Sequence, residues 1–283
     1  MSTSGVLASV DGWGAAHAAA AVVGPAGVLA AYGPTGQGFA LASVTKPLAA
    51  LAALVAVEEG AVELDAPVTP YGPEGASLRH LLAHASGLVF DGAPQPRRAL
   101  ARPGASRIYS NAGIEAVAEV VEAATGIAFA DYLDQAVCEP LGLRGTVLHG
   151  SPAWAGRSTV DDLAAVAREL LAPRLLHAST LAEASSVQFP GLVGVLPGFG
   201  RQDPNDWGLG VEIRGHKSPH WTGSRNSPGT FGHFGQAGTF LWVDPAVRLA
   251  AVVLTDQPFG PWAAAAWPEF SDRVLAEFSG WAG

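Results

Sequence analysis

The longest purely apolar stretch of the chain, residues 48–57, directly follows a segment that carries Ser43 and Lys46. Every position of the stretch is alanine, leucine or valine, so it has no polar face and the pattern predicts a buried helix. Gly60 is a natural stop for that helix. Residues three positions apart on a helix lie on one face, with Cβ atoms roughly 5–6 Å apart. We therefore expect the Ser43 and Lys46 side chains to meet at the start of this helix.

Short apolar runs that are bounded by turn residues predict strands near both ends of the chain. The first two runs are joined by Gly24-Pro25-Ala26 and predict a hairpin, and the turn at 244–246 predicts a second hairpin. A proline is favourable at the first position of a helix, so a final helix is predicted from Pro268 to Phe278. The predicted strands are residues 16–23, 27–32, 207–214, 238–243 and 248–255.

Between the two groups of strands, from about residue 61 to 200, the apolar positions recur mostly at helical spacing. Ser158 or Thr159 ahead of two aspartates is typical of a helix N-terminus. Residues 188–206 are rich in glycine and proline and predict a long surface loop. The predicted helices are residues 78–84, 114–125, 129–137 and 160–171.

Strands at both ends and helices between them predict an α+β fold in which one antiparallel sheet joins the two termini. The sheet is expected to be flanked by helices and interrupted by an inserted all-helical subdomain. We predict that residues 1–60 and 206–283 form the sheet subdomain and that residues 61–205 form the helical one. The functional site is expected at the seam, where the Ser43 helix lies.

Composition narrows the classes of partner. The 283 residues are 49% hydrophobic and carry a formal net charge of -9, which argues against nucleic acid or an anionic membrane as partner. The single cysteine, Cys138, excludes an internal disulfide and a cysteine-based metal cluster. The N-terminus has no basic segment before an apolar run, and residues 47–57 are too short to span a bilayer. We expect a soluble, cytoplasmic protein.

The basic residues point to Lys46. Of 16 lysines and arginines, only Lys46 and Lys217 are lysines. Arginine keeps its proton in proteins, whereas a buried lysine loses its proton readily. Burial and the positive end of the helix dipole both favour a neutral Lys46 amine, which is a base. A base beside a hydroxyl is what a weak nucleophile requires.

Two later clusters are candidate partners of Ser43. Tyr109 and Asn111 offer a phenol that can relay a proton and an amide that can hold a substrate, although Ser110 or Asn111 capping the next helix explains the same residues. The glycine-rich segment 232–238 precedes a strand, and its backbone N–H groups are candidates for an oxyanion hole together with that of Ser43. A structural role for His233 remains the alternative.

Taken in order, Ser43-Val44-Thr45-Lys46, Tyr109-Ser110-Asn111 and His233-Phe234-Gly235 resemble the motifs of the serine β-lactamase and penicillin-binding family. The branch is the one that contains class C β-lactamases, DD-peptidase-like proteins and family VIII esterases. Residues 81–88, 140–143 and 207–210 match the same family's pattern. The resemblance covers residues 39–256, most of the chain, and implies a β-lactamase/transpeptidase-like fold.

The resemblance implies a role for each matched residue. Ser43 would be the acyl-accepting nucleophile, Lys46 would take its proton, and Tyr109 would act with Lys46 as base and then protonate the leaving group. The remaining matched positions would bind substrate: Asn111 through its amide, His233 and Gly235 along the opposite strand, and Gln236 through its N–H in the oxyanion hole. No metal or other cofactor is implied.

The chain also departs from the family's usual Lys-Thr-Gly, which is His233-Phe234-Gly235 here. A permanent cation is replaced by a residue that is mostly neutral at pH 7. This favours a serine hydrolase acting on small neutral esters or amides, with weak or no β-lactamase activity. Aromatic residues near the expected cleft suggest an apolar pocket, with ordinary core packing as the alternative. These are Trp207, Trp221, Phe231 and Phe234.

Other functions stay open. A β-lactamase or DD-peptidase, an acyltransferase, and a non-hydrolytic penicillin-binding or sensor protein share these motifs, so the small-molecule substrate is an ester, an amide or a β-lactam. A zinc hydrolase has weak support from His80/His84 and His216/His220 at i, i+4 spacing, without an acidic general base. The G-x-S-x-G motif of α/β-hydrolases does not occur.

Overall fold

The structure is a computed structural model that describes residues 5–92 and 97–280. Its centre is a six-stranded antiparallel sheet in the order β2-β1-β11-β10-β9-β8, and two smaller sheets have the orders β3-β5-β4 and β6-β7. The strands are β1 (Ala18–Gly24), β2 (Gly27–Tyr32), β3 (Phe39–Ala40), β4 (Val147–Leu148), β5 (Gly156–Ser158), β6 (Gly194–Leu196), β7 (Gly200–Gln202), β8 (Glu212–Ile213), β9 (Phe231–Gly235), β10 (Thr239–Asp244) and β11 (Leu249–Thr255).

The helices are α1 (Thr45–Glu58), α2 (Leu78–Leu82), α3 (Asn111–Thr125), α4 (Phe129–Leu133), α5 (Glu139–Leu141), α6 (Val160–Leu171), α7 (Ala178–Ala184) and α8 (Pro261–Phe278). A π-helical turn, Asp134–Cys138, joins α4 to α5 without a break. Short 3₁₀ turns lie at Leu7–Trp13 and Ala42–Val44.

The two ends of the chain meet in the large sheet, as predicted. β1 pairs antiparallel with β11, with Ala18 opposite Thr255, and both predicted hairpins are present as β1–β2 and β10–β11. β1 and β11 are buried along their whole length because the sheet is covered on both faces. The α+β fold with an antiparallel sheet flanked by helices is therefore confirmed.

Alternate side chains of the sheet enter two different cores, as the two-residue period of a strand requires. One face, with Ala19, Ala21 and Val252, packs into a core shared with α1, α3 and α6. The other face, with Val22 and Val253, packs against α8 and the N-terminal 3₁₀ turn. The α1 helix is buried on nearly every side, which explains its purely apolar sequence.

Most predicted helices occur within one to three residues of the expected bounds. α6 has the bounds that the sequence predicts, and Thr159, not Ser158, caps it by accepting a hydrogen bond from the N–H of Asp162. α3 begins three residues earlier than predicted. Its N-cap is Ser110, whose hydroxyl accepts a hydrogen bond from the N–H of Gly113. α7 was not predicted. The boundaries of the two subdomains stay a prediction.

Two predictions about the region before β9 are wrong. Residues 188–206 are not simply a loop, because β6 and β7 form a hairpin within them. Residues 207–214 contain a strand only at β8, because residues 207–211 make a tight turn in which Gly208 N donates to Val211 O. A Cβ at Gly208 would lie 2.1 Å from the oxygen of Ala184, so only glycine fits this close approach.

The final helix begins seven residues earlier than predicted, at Pro261, and Pro268 lies inside it. An internal proline removes one helical hydrogen bond and costs about 3 kcal/mol. Ala263, Trp267 and Phe270 are nevertheless buried at helical spacing against the sheet, and their packing explains why the helix continues through the proline. No helix of the described residues is long and apolar enough to cross a membrane.

Candidate active site

Ser43 lies in a one-turn 3₁₀ helix, Ala42–Val44, immediately before α1. The preceding residue, Ala42, has a φ of 47°, a left-handed conformation that is strained for alanine and is found at functional sites. Two hydrogen bonds of the preceding residue, Leu41, hold this conformation in place. Leu41 N donates to Gly156 O at 2.9 Å, and the Thr239 hydroxyl donates to Leu41 O at 2.9 Å.

Lys46 points its amine at Ser43 from the first turn of α1. Its Nζ lies 3.2 Å from Ser43 Oγ and donates to Asn111 Oδ1 at 2.7 Å and to Ala153 O at 2.9 Å. The side chain is fully buried. Desolvation of the ammonium lowers the pKa of Lys46 to about 7, although the charges of Asp91 and Glu115 oppose the shift. A large fraction of the amine is therefore neutral near pH 7.

Tyr109 approaches Ser43 from the other side. Its phenol donates to Ser43 Oγ at 2.8 Å, and Lys46 Nζ lies 4.7 Å from the centre of its ring. The half-buried ring packs against Phe90, His84 and Trp207. Desolvation of the phenolate raises the pKa of Tyr109 above its ordinary value, so the phenol is neutral at physiological pH. A neutral phenol is a proton donor.

In the Tyr109-Ser110-Asn111 segment, one residue caps the next helix and the other two contact the Ser43–Lys46 pair. Ser110 is the N-cap of α3, and Asn111 is the first residue of that helix. The Asn111 amide accepts from Lys46 through Oδ1 and donates to Asp91 Oδ1 at 2.9 Å through Nδ2. The amide thus holds the lysine in place, and its predicted role in substrate binding stays a prediction.

His233 lies on β9, opposite Tyr109. Its Nδ1 is 2.7 Å from the carbonyl oxygen of Phe234, so this nitrogen carries the proton and Nε2 has the lone pair. Nε2 lies 3.5 Å from the Tyr109 phenol oxygen. Desolvation and the nearby Lys46 charge lower the pKa of His233 to about 3. The imidazole is therefore neutral and carries no charge for a substrate carboxylate.

Gly235 brings the end of β9 against the Ser43 turn. A Cβ at this position would lie 2.3 Å from Leu41 O and 3.2 Å from Ala42 Cβ, so a larger residue forces the two segments apart. Gln236 follows and lines the space above Ser43. The roles of the Ser43 and Gln236 N–H groups as oxyanion donors stay a prediction.

The catalytic cleft, as we call the space above Ser43, encloses about 60 Å³. Its lining is mostly apolar. The lining residues are Ser43, Phe90, Tyr109, Leu196, Pro197, Trp207, Glu212, His233, Phe234 and Gln236. Trp207 and Phe234 thus contact the cleft, as expected for an apolar pocket. Trp221 and Phe231 do not line it: Trp221 donates to Glu212 Oε2 at 3.0 Å, and Phe231 packs in the core beside α1.

Glu212 is the carboxylate in the cleft wall, and its charge is already balanced. Lys217 Nζ forms an ion pair with it, and His220 Nε2 lies 2.9 Å from Oε2. Burial raises the pKa of this carboxyl, but His220 and Lys217 outweigh burial and hold the pKa below its usual range. Among the described residues that line the cleft, none is a free cation.

The histidines whose spacing suggested a zinc site have separate hydrogen-bond partners. His80 Nδ1 bonds to Ser77 at the start of α2, and His84 Nδ1 accepts from Ser110 N at 3.2 Å. His220 faces Glu212 and Thr222. Within residues 5–92 and 97–280, no group of three or more histidine, cysteine, aspartate or glutamate side chains is placed to hold a metal ion.

Several contacts of the site were not predicted from the sequence. Ala153 contributes only its main-chain oxygen to Lys46, which leaves no side-chain signal. Asp91 and Phe90 lie in a loop and carry no motif. The burial of Glu212 beside Lys217 also went unpredicted, although Lys217 is the one other lysine of the chain.

The chain is similar to several known proteins. The profile of the family described as Beta-lactamase matches residues 14–275. A crystal structure of a beta-lactamase from Mycobacterium bovis is 57% identical, with 97% of this chain and 99% of that chain covered and a TM-score of 0.93. The hydrolase EstCE1, described as having promiscuous acyltransferase activity, is 20% identical with a TM-score of 0.77 over 95% of this chain and 96% of that chain, which establishes the fold alone.

A Salmonella heidelberg protein that is provisionally named a D-alanyl-D-alanine carboxypeptidase is 24% identical over 219 residues. The alignment covers 56% of this chain and 47% of that protein. The chain therefore spans about half the length of the curated relatives that it matches.

Proposed function

The chain belongs to the beta-lactamase family of serine hydrolases, and on that premise we propose that it hydrolyses small neutral esters through an acyl-enzyme on Ser43. One observation carries the proposal. Ser43 Oγ lies 3.2 Å from the Lys46 amine and 2.8 Å from the Tyr109 phenol, and burial lowers the pKa of that amine to about 7. A hydroxyl flanked by a base and an acid is a serine nucleophile with its two proton carriers.

In the proposed acylation step, the neutral Lys46 amine accepts the Ser43 proton while Oγ attacks the ester carbonyl. Charge develops on the carbonyl oxygen, and the N–H groups of Ser43 and Gln236 are the donors that we assign to it. The Asn111 and Ala153 oxygens face the resulting Lys46 ammonium at 2.7 and 2.9 Å and stabilise it as it forms. The site thus stabilises the charge that the reaction creates.

Tyr109 completes the cycle in this proposal. Its phenol is neutral because desolvation raises its pKa, so it protonates the leaving alkoxide and receives a proton in turn from Lys46. Water then attacks the acyl carbonyl, its proton passes to Lys46, and Lys46 returns a proton to Ser43 Oγ as the ester bond to the enzyme breaks. The raised pKa keeps Tyr109 in the protonated form that can donate a proton, whereas its additional role as a base with Lys46 stays a prediction.

The charges of the cleft favour a neutral substrate. A penicillin carries a carboxylate, which requires a cation opposite it. His233 is neutral, Phe234 is apolar, and Lys217 is paired with Glu212. A substrate carboxylate in the cleft would therefore meet no free cation among the described lining residues. An uncharged ester meets no such cost.

The test is the intact mass of the wild-type protein and of Ser43→Ala after incubation with p-nitrophenyl butyrate and, separately, with a penicillin. We expect steady release of p-nitrophenol by the wild type, its loss in Ser43→Ala, and little penicillin adduct. A stable penicillin adduct on Ser43 without ester turnover contradicts the proposal and identifies a binding or sensing protein. Products formed in the presence of added butanol separate hydrolysis from acyl transfer.

β-Lactam hydrolysis is the second candidate, because the 57% identical Mycobacterium bovis protein is described as a beta-lactamase. The decisive quantity is the ratio of kcat/KM for a penicillin to that for the same penicillin as its neutral methyl ester. The ester proposal expects the methyl ester to be the better substrate, because the cleft offers no free cation to the acid. A strong preference for the free acid supports the β-lactamase.

A further inference from the structure

A groove of about 370 Å³ continues from the catalytic cleft along the protein surface. The groove and the cleft share Phe90, Tyr109 and Pro197 in their walls. The catalytic cleft itself encloses only about 60 Å³, the space of one or two waters. A substrate larger than a short acyl group therefore extends beyond the cleft, and the groove is a direct continuation of it.

The two walls of the groove are fixed to each other by main-chain contacts. Arg107 N donates to Val193 O at 3.0 Å, and Arg107 and Gly194 form a parallel β-bridge. A Cβ at Gly194 would lie 2.3 Å from Arg107 O, so glycine permits this close approach. Residues 106–109 and the β6–β7 hairpin therefore form the two connected walls of the groove beside the nucleophile.

The surface of the groove is mostly apolar. Ile108 and Val193 are half-buried, and Phe90 and Val195 are 52% and 59% exposed. Arg107 also lines the groove, but its guanidinium is buried and donates to the main-chain oxygens of Ala83, Gln188 and Asn205. Its charge is therefore directed away from the groove, whose other lining residues are mostly apolar, with Ser106 as a polar exception.

Exposed apolar side chains around a groove mark a site for an apolar ligand. We propose that this groove binds the hydrocarbon chain of a neutral ester whose carbonyl reacts at Ser43. The inference rests on the proposed hydrolase function and deepens it, because it makes the substrate an ester with an extended apolar chain. This hydrocarbon chain is either the acyl part or the alcohol part of the ester.

Binding tests the groove without turnover. Ser43→Ala is titrated with 1-butanol, 1-hexanol and 1-octanol by calorimetry. Each methylene buried in the groove is expected to lower the Kd about fourfold. Val195→Asp places a charge in the groove at a well-exposed position and is expected to reduce this gain to less than twofold per methylene. Val195→Thr keeps the shape and is expected to give an intermediate gain.

The matched control is Val28→Asp, an exposed valine on β2 at the opposite edge of the large sheet from β8 and β9. It is expected to keep the full gain per methylene. A gain that is absent in Ser43→Ala, or that persists unchanged in both Val195 variants, overturns the inference.

Kinetics then identify the part of the ester in the groove. In the wild type, kcat/KM is measured for p-nitrophenyl esters from acetate to octanoate and for acetate esters from ethyl to octyl. The series whose kcat/KM rises with length, and loses that rise in Val195→Asp, contains the chain that the groove binds. Turnover of short esters with no rise in either series contradicts the groove alone. Chain-dependent alkanol binding without turnover of any ester supports the groove and contradicts the hydrolase function.

Discussion

At the scale of single residues, Lys46 sets the pH dependence of the proposed reaction. Only its neutral form accepts a proton, and burial lowers its pKa to about 7. We expect kcat/KM for p-nitrophenyl butyrate to rise with pH, to reach half its maximum near pH 7 and to stay level above it, because Tyr109 keeps its proton there. A rate profile from pH 5 to 9 measures this. A flat profile contradicts Lys46 as the base.

Replacing Lys46 separates its charge from its ability to lose a proton. Lys46→Arg keeps the positive charge but cannot act as base, and Lys46→Met removes the charge at similar size. We expect both variants to lose about 10²–10⁴-fold in the rate of acylation, the usual contribution of a general base. Pre-steady-state release of p-nitrophenol reports this rate. Normal acylation by Lys46→Arg would show that charge alone suffices.

Tyr109→Phe removes one oxygen and keeps the ring that packs against Phe90 and Trp207. Since the phenol is assigned to protonate the leaving group, we expect a loss that depends on that group. Ethyl butyrate, with a basic alkoxide, loses about 10²-fold or more, and p-nitrophenyl butyrate loses much less. Equal losses with both esters would place Tyr109 outside leaving-group protonation.

The residues of the site differ in how far the sequence predicts them. Ser43 and Lys46 meet as helical spacing requires, and Tyr109 joins them as the family resemblance implies. Ala153 acts through its main-chain oxygen, and any residue can present that atom, so no sequence pattern indicates it. Asp91 contacts Asn111 only because the chain folds back over 20 positions, which local patterns do not encode.

At the scale of elements, long segments with a clear period were predicted well, and glycine-rich ones were not. β1, β10, β11 and α6 bury regular apolar positions, so their pattern and their packing agree. β9 contains Gly232 and Gly235, which strands usually avoid, and the residue pattern alone did not indicate it as a strand. Its glycines are explained by close approach of backbone: a Cβ at Gly232 would lie 2.1 Å from Leu241 O.

Gly235→Ala tests the contact between β9 and the Ser43 turn. The new methyl group would lie 2.3 Å from Leu41 O, so the strand and the turn must separate. Displacements of about 1 Å cost about 10²-fold in rate, and we expect kcat to fall by that order. The control is Gly12→Ala, because a Cβ at Gly12 meets nothing within 4 Å. Unchanged kcat in Gly235→Ala, measured with p-nitrophenyl butyrate, would show that the contact does not position Ser43.

At the scale of the whole molecule, the site is assembled from three distant parts of the chain. Ser43 and Lys46 come from the N-terminal part, Tyr109 and Asn111 from the middle, and His233 from β9. The large sheet joins the first and last parts through β1 and β11. The cleft therefore forms only when the sheet and the helical segment are both in place. Stability of the whole fold and integrity of the site are coupled for this reason.

Buried neutral histidines make that stability sensitive to acid. The pKa of His233 is about 3 in the folded protein and about 6.5 in an unfolded chain, so the unfolded state binds more protons once the pH falls below 6.5. Stability is then lost between about pH 6.5 and pH 3. The fully buried His84 acts in the same direction, since desolvation lowers its pKa. The lowered pKa of Lys46 affects the pH dependence of stability only between about pH 7 and the unfolded pKa of lysine near 10.4.

From these shifts, His233 alone is expected to lower the free energy of unfolding by about 2 kcal/mol between pH 7 and pH 5. Urea unfolding at both pH values measures the loss, and His233→Gln, which cannot be protonated, should reduce it by that amount. His149→Gln, at an exposed histidine, is the matched control and should leave the loss unchanged. If His233→Gln loses as much stability as the wild type, His233 is already charged in the folded protein, and the case for a cleft without a free cation fails with it.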